Sequence, residues 1–170
     1  SVIKVHENSG LFLSNLTLTH GAGTAGGGIF CDNAILVAKD VTITQNETTG
    51  NGGGISANSC RMVLRNAMVT DNQANLYGGG LYIYGDRAVV VDSTISENRG
   101  YEGGGLFADE YSSGSTPLIV HNSVITGNLA ETVDDNAWGT GGGGGGLWIA
   151  LDNATITQNE ISNNQSNYNG

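Results

Sequence analysis

Short apolar segments recur along this chain with a period of about 26 residues. Three glycines followed by an aliphatic residue occur five times, and the aliphatic residues are Ile29, Ile55, Leu81, Leu106 and Leu147. Successive members lie 26, 26, 25 and 41 residues apart. A fixed period of this length is typical of solenoids, in which each coil buries its apolar side against the next coil.

Two further apolar segments repeat in the same register. One precedes a recurrent asparagine, and its central residues are Leu18, Ile43, Val69, Ile95, Ile125 and Ile161. The other lies five residues earlier, at Leu13, Ala38, Leu64, Val90, Val120 and Ile156. Both alternate with period two between turn-forming residues, which predicts short β-strands. The register assigns the segment 154–158 to the earlier strand of its repeat and Ile161 to the later one.

These markers predict an all-β fold, a right-handed parallel β-helix of about six coils with three short strands in each. We expect residues 1–170 to form a single domain, with the two long gaps as turn insertions near 109–116 and 129–143. No capping segment is recognisable, so we expect a fragment of a longer solenoid or a unit that stacks end to end. The recurrent asparagines should form a ladder at one turn: Asn46, Asn72, Asn98, Asn128 and Asn164.

The repeat resembles the pectin-lyase-like β-helix proteins. It is especially similar to the Gly-Gly-aliphatic plus Asn repeats of bacterial surface and autotransporter-type passengers, such as the chlamydial polymorphic outer-membrane proteins. The segment 10–19, GLFLSNLTLT, resembles an early coil of such domains. The resemblance covers nearly the whole chain and implies the fold and a location at a cell surface. It implies no particular activity, because this architecture carries many functions.

Charge and composition exclude several classes of partner. The formal net charge is −10, which disfavours nucleic acid and anionic membrane surfaces. No run of about 18 apolar residues is present, so we expect no membrane span. We expect an extracellular or cell-surface location.

The sequence shows no motif of the β-helical lyases or hydrolases. Arg61, Arg65, Arg87 and Arg99 are spread along the chain, and no closely spaced aspartates of the hydrolase type are present. We therefore expect no catalytic residues and no obligatory cofactor. The residues favour a non-enzymatic protein, with enzyme activity as the open alternative.

An acidic cluster in the longer insertion is the candidate metal site. Glu131, Asp134 and Asp135 supply the hard oxygen ligands that Ca²⁺ prefers, although a solvated acidic loop has the same composition. Asp109 and Glu110 form a weaker candidate in the other insertion.

Two outward columns are candidate binding surfaces. The residue after each inward aliphatic points outward, and these residues form an aromatic face: Phe30, Tyr82, Phe107 and Trp148. Such a face can stack on sugar rings or form a protein interface, and it can equally pack under the insertions. A second outward column is apolar and is a candidate interface: Phe12, Val37, Val63, Val89 and Ile119.

Two smaller patterns have structural interpretations. Cys31 and Cys60 occupy inward positions of adjacent coils, three residues out of register, so we expect core thiols rather than a bridge. Thr-x-Thr recurs on the third strand, as in ice-binding β-solenoids, but Met68, Val124 and Glu160 interrupt the array.

The sequence therefore favours a non-enzymatic extracellular structural or adhesive module. Its partners would be further copies, neighbouring coils of a longer chain, or surface glycans. The alternative is a domain that binds or degrades a carbohydrate, and ice binding is a remote alternative.

Overall fold

The chain folds as a parallel β-helix in which the backbone winds repeatedly around one narrow core. The structure is a computed structural model that describes residues 1–110, 117–131 and 143–167. The described residues contain strands, turns and bends but no helix, and every strand pairing among them is parallel. The predicted all-β solenoid is confirmed.

Three sheets run along the solenoid, and each coil contributes to all of them. The first sheet contains Ile3–Val5, Ile29–Asp32, Ile55–Asn58, Leu81–Tyr84, Leu106–Asp109 and Leu147–Ala150. The third sheet contains Ala22–Gly23, Glu47–Thr48, Gln73–Ala74, Arg99–Gly100, Leu129–Glu131 and Gln165–Asn167.

The second sheet is bent into two limbs, joined through the long strands Gly10–Thr19 and Ile35–Thr44. Its first limb continues through Arg61–Arg65, Ala88–Val91, Leu118–His121 and Ala154–Thr157. Its second limb continues through Met68–Thr70, Thr94–Ser96, Val124–Thr126 and Glu160–Ser162.

The two limbs of the second sheet are the second and third predicted strands of each repeat. Ala154–Thr157 pairs with Leu118–His121, and Glu160–Ser162 pairs with Val124–Thr126, as the glycine register predicts. The third sheet was not predicted, because strands of two or three residues carry no detectable alternation. Leu129–Glu131 belongs to this sheet, although the sequence assigned it to an insertion. The remainder of that insertion and most of the other lie outside the described residues.

The coil turns at four corners, and in most coils each corner uses a residue in the left-handed region of backbone conformation. Asparagine and aspartate tolerate this conformation better than other non-glycine residues. The corner between the two limbs uses Asn15, Asp40, Asn66, Asp92, Asn122 and Gln158, with φ between 47° and 57°. The corner before the first sheet uses glycine in its first four described copies, for example Gly52 at φ 69°. These corners explain why Gly, Asn and Asp punctuate the sequence.

Stacked aliphatic side chains fill the core in the predicted columns. Ile29, Ile55, Leu81 and Leu106 are fully buried and occupy one register position of the first sheet. Leu36, Met62, Ala88 and Leu118 do the same in the second sheet. Each coil alone would expose this apolar surface, so the stacking of coils supplies the hydrophobic stabilisation.

The predicted asparagine ladder is present at the corner between the second and third sheets. The Nδ2 of Asn72 donates to the Oδ1 of Asn98 at 3.0 Å and to the carbonyl of Ile43 at 2.9 Å. The same Oδ1 accepts the backbone N–H of Asn72 at 3.0 Å. Asn46, Asn98 and Asn128 repeat this pattern and are buried, so each amide satisfies backbone groups that the turn leaves unpaired.

The expectation of free core thiols is wrong, because Cys31 and Cys60 form a disulfide. Cys31 is the penultimate residue of the first-sheet strand Ile29–Asp32, and Cys60 directly precedes the strand Arg61–Arg65 of the following coil. Both side chains point into the core from opposite sides of this corner, and their Cα atoms are 5.9 Å apart. Cys31 is in register with Ala57, and Cys60 follows Ala57 by three residues. Those three residues go around the corner, so the difference in register places Cys60 opposite Cys31.

Candidate binding surfaces

The predicted aromatic column exists on the outer side of the first sheet. Phe30, Ser56, Tyr82, Phe107 and Trp148 share one register position in five successive strands. Phe107 stacks face to face with Trp148, with ring centroids 4.2 Å apart and ring planes 4° apart. Tyr82 stacks on the other side of Phe107 at 5.6 Å.

This aromatic column is largely covered. Phe107 is only 4% exposed and Tyr82 9%, and Ser56 is fully buried. Tyr77, from the corner that precedes the first sheet, lies over the sheet and stacks on Phe107 at 4.6 Å. Phe107 therefore presents no open platform to a sugar ring. The stacked rings of the aromatic column contribute mainly to packing on the outside of the solenoid.

Burial and a few nearby ionisable side chains affect the ionisation of the tyrosines at the aromatic column. Burial, followed by the nearby charges of Tyr84 and Asp109, raises the pKa of Tyr82 to about 12. Burial raises the pKa of Tyr77 as well, and the charges of Glu102 and Asp109 add to the effect. Burial also raises the pKa of Glu102. This environment favours neutral tyrosines and disfavours an added anion.

The predicted apolar column lies on the outer side of the first limb of the second sheet. Phe12, Val37, Val63, Val89 and Ile119 share one register position over five successive strands. Phe12 is 75% exposed and the other four side chains are partly exposed. The neighbouring Ile35 is also exposed, at 43%. A depression of about 330 Å³ lies over this surface and is lined by Ile35, Arg61, Met62, Val63, Arg87 and Val89.

Basic side chains border the apolar column on both sides. Arg61 and Arg87 occupy adjacent rungs on one side, and Lys39 and Arg65 occupy adjacent rungs on the other. These four are exposed, and they make up four of the six lysines and arginines in the chain. The sequence suggested that the arginines are scattered, and this is wrong for Arg61, Arg65 and Arg87. We call this surface, with the column Phe12 to Ile119 and its four cations, the basic-apolar face.

The candidate calcium ligands divide between described and undescribed residues. Glu131 lies on the third sheet, where its carboxylate pairs with Arg99. This ion pair accounts for Glu131 without a metal ion. Asp134 and Asp135 lie outside the described residues. Within 1–110, 117–131 and 143–167, no group of three potential metal ligands comes together. Asp109 ends a first-sheet strand, and its Oδ1 accepts the backbone N–H of Glu110 at 2.8 Å.

One half of the Thr-x-Thr pattern forms an unbroken column of hydroxyl groups. It occupies one register position on the second limb, at Thr19, Thr44, Thr70, Ser96, Thr126 and Ser162. Ser96 donates to Thr70 at 3.2 Å, and Thr126 and Ser162 are also 3.2 Å apart. The first threonine position of the Thr-x-Thr pattern forms a second column, which contains Met68, Val124 and Glu160. At these three rungs the row of hydroxyl groups is therefore only one side chain wide.

Sequence reasoning found both outward columns but missed what borders them. Tyr77 and Glu102 sit in corner segments, where no strand alternation marks their direction. The cations of the basic-apolar face had a detectable signal, because each lies two positions before or after a valine of the column. Arg61 and Arg65 flank Val63 in this way, Arg87 precedes Val89 and Lys39 follows Val37.

Of three comparisons with known proteins, one gives a match, and that match agrees with this architecture. None of the described residues forms a helix long and apolar enough to cross a membrane. Searches of the curated proteins and of the solved structures found no match. A family model described as "Right handed beta helix region" matches residues 1–170. Because this match covers the whole chain, the protein belongs to the right-handed β-helix family.

Proposed function

We propose that this chain is a non-enzymatic extracellular module with a structural and adhesive role. The solenoid is the rigid body, and the basic-apolar face is the surface that contacts a partner. The observation that carries this proposal is the apolar column itself. Five side chains from Phe12 to Ile119 stand in register and remain partly or largely exposed, although burial would stabilise the chain.

The disulfide supports the extracellular part of the proposal. Cys31 and Cys60 are the only cysteines of the chain, and they form a bridge in the core. Disulfides persist in oxidising compartments and are rare in the reducing cytosol. The bridge links two adjacent coils, so it also resists local separation of the stack.

The burial of the aromatic column supports a non-glycan partner. A sugar-binding surface stacks an exposed ring on a pyranose, and Phe107 is packed between Tyr77, Tyr82 and Trp148 instead. The adhesive surface is therefore assigned to the second sheet rather than to the first.

Retention of the labelled chain on intact cells of its source tests this proposal. The wild type is compared with the double substitution Val63→Asn and Val89→Asn, which keeps side-chain size and removes apolar surface. Soluble glycans are added as competitors, and the medium is assayed for released sugars. We expect retention that falls at least fivefold in the double variant and is insensitive to glycans. Equal retention of both proteins, or competition by glycans together with sugar release, would overturn the proposal.

Two alternatives have an observation in their favour. Trp148 is partly exposed at the end of the aromatic stack, which favours the carbohydrate-binding alternative. Saturable quenching of Trp148 fluorescence by a soluble glycan, measured in a Trp138→Phe background, would support it. The hydroxyl column favours ice binding, and thermal hysteresis of the purified chain would support that function.

A further inference from the structure

The cations of the basic-apolar face are arranged as like-charged neighbours. Lys39 and Arg65 are register partners on adjacent strands, and Arg87 directly precedes the strand Ala88–Val91, so the Ala88–Met62 pair places it beside Arg61. Like charges at facing positions of a sheet destabilise it. The chain carries 16 acidic residues, yet none that the structure describes pairs with the guanidinium of Arg61, Arg65 or Arg87. The unpaired positive charge on this face is therefore available to a partner.

The nearby carboxylates are engaged elsewhere. Asp86 accepts the backbone N–H of Arg87 at 2.6 Å. Asp40 accepts a hydrogen bond from Asn66 at 2.6 Å, and this bond is the main cause that lowers the pKa of Asp40. Asp40 also lies 3.5 Å from Lys39, so among the described residues Lys39 is the one cation of the face whose charged group forms an ion pair. Asp92 accepts from Asn122 at 2.8 Å.

We propose that the basic-apolar face binds an acidic amphipathic helix of a partner protein. This inference rests on the proposed adhesive function and specifies its partner. The apolar stripe of the helix would cover Val63 and Val89, and carboxylates on both sides of that stripe would meet the two rows of cations. Such a helix complements the face in both polarity and charge.

The dimensions of the face fit one helix. Arg61 and Arg65 are four residues apart on one strand, which separates the two rows of cations by about 13 Å. A helix with its side chains is about 10–12 Å across. The column from Phe12 to Ile119 spans four inter-strand steps, or about 19 Å, which corresponds to about 13 helical residues.

The same features disfavour other occupants. The corresponding face of a second copy would bring arginines against arginines. A glycan would leave its hydroxyl groups without partners over Val63 and Val89, which offer neither a hydrogen bond nor a flat ring. A bilayer requires protruding apolar groups, whereas these valines are shorter than the arginines beside them, and within the apolar column only Phe12 is largely exposed.

Fluorescence anisotropy with a synthetic helix tests this inference. The probe is a 14-residue, helix-stapled peptide with leucines at one face and glutamates on both sides of it. The controls are the same composition in scrambled order and the same pattern with lysine in place of glutamate. We expect saturable binding of the patterned acidic peptide, at least tenfold tighter than that of either control. The variant Arg61→Glu with Arg87→Glu should lose at least tenfold in affinity, and Lys4→Glu should lose none.

Other outcomes would overturn the inference. Equal binding of the scrambled peptide would show a charge effect without recognition of a helix. Absence of saturable binding would exclude the acidic helix, and stronger binding to a sulfated glycan or to vesicles of anionic phospholipid would assign the face to that ligand. In each of these cases, a fall in cell retention of the double variant Val63→Asn and Val89→Asn would still support the adhesive function. Failure of the helix inference can therefore be distinguished from failure of the proposed function.

Discussion

The side-chain amide of Asn72 donates a 3.0 Å hydrogen bond to the Oδ1 of Asn98 in the next coil. That oxygen also accepts the backbone N–H of Asn72, while the amide of Asn98 donates to the carbonyl of Val69 at 2.8 Å. One side chain therefore satisfies several buried groups at once. The ladder couples neighbouring coils through polar contacts inside an otherwise apolar core.

Removing one member of the ladder should destabilise the fold strongly. Asn98→Ala leaves the backbone N–H of Asn72, one of the two amide hydrogens of Asn72 and the carbonyl of Val69 without their partners, while the amide of Asn72 keeps its bond to Ile43. Each buried unsatisfied group costs about 1–3 kcal/mol, so we expect a loss of at least about 3 kcal/mol in the free energy of unfolding. Chemical denaturation measures it. The control Asn75→Ala, at an exposed position, should change stability by less than about 0.5 kcal/mol.

The disulfide should stabilise the chain by constraining its unfolded state. Cys31 and Cys60 are separated by 29 residues, and loop-closure entropy for that length corresponds to about 3–4 kcal/mol. We expect a reductant to lower the denaturation midpoint of the wild type and to leave the double variant Cys31→Ala and Cys60→Ala unaffected. Equal midpoints of the wild type with and without reductant, at verified full reduction, would contradict the stabilising role.

The middle glycine of each triplet should tolerate no side chain. A Cβ on Gly53 would lie 2.3 Å from the carbonyl oxygen of Gly79 and 2.6 Å from the backbone of Gln73. These are backbone atoms of the stack and cannot move without separating coils, so Gly53→Ala should unfold the protein or strongly lower its midpoint of urea denaturation. Gly10→Ala is the control, because its Cβ would meet only the ring of Phe12 at 3.9 Å. Normal stability of Gly53→Ala would show that the coils are not packed this closely.

Alkaline pH should weaken the fold through Tyr82. Its pKa is raised from 10.0 to about 12 in the folded chain, so the folded state favours the neutral phenol. The contribution of Tyr82 to stability is fully present below pH 10 and falls as the pH rises toward 12. Thermal denaturation from pH 9 to 12 should therefore show a smaller fall in Tm for Tyr82→Phe than for the wild type. Parallel pH profiles for the two proteins would argue against a buried phenol at this position.

Periodicity determined most of what the sequence predicted. The register of Ile29, Ile55 and Leu81 follows from one glycine pattern, and the same pattern placed the segment 154–158 correctly. The corners limited prediction, because a tight turn changes which residues are neighbours. Cys31 and Cys60 face each other across such a turn, and Tyr77 reaches the aromatic column from another.

The two candidate surfaces show the same limit. Both outward columns were predicted, since alternation along a strand gives the direction of each side chain. Tyr77 covers Phe107 from a neighbouring coil, and Arg61 lies beside Arg87 because their coils are adjacent, so both features depend on contacts between coils. Those contacts require the register of adjacent strands in addition to the pattern within one strand.

The most direct test of the central claim is the retention of charge-reversed variants on cells of the source. Arg61→Glu with Arg87→Glu changes the basic-apolar face, whereas two substitutions away from it, Lys4→Glu with Gln73→Glu, make the surface more acidic without touching that face. We expect retention to fall at least tenfold in the first variant and to stay within twofold of the wild type in the second. Equal losses in both would show that net charge governs retention and would contradict the assignment of the basic-apolar face as the binding surface.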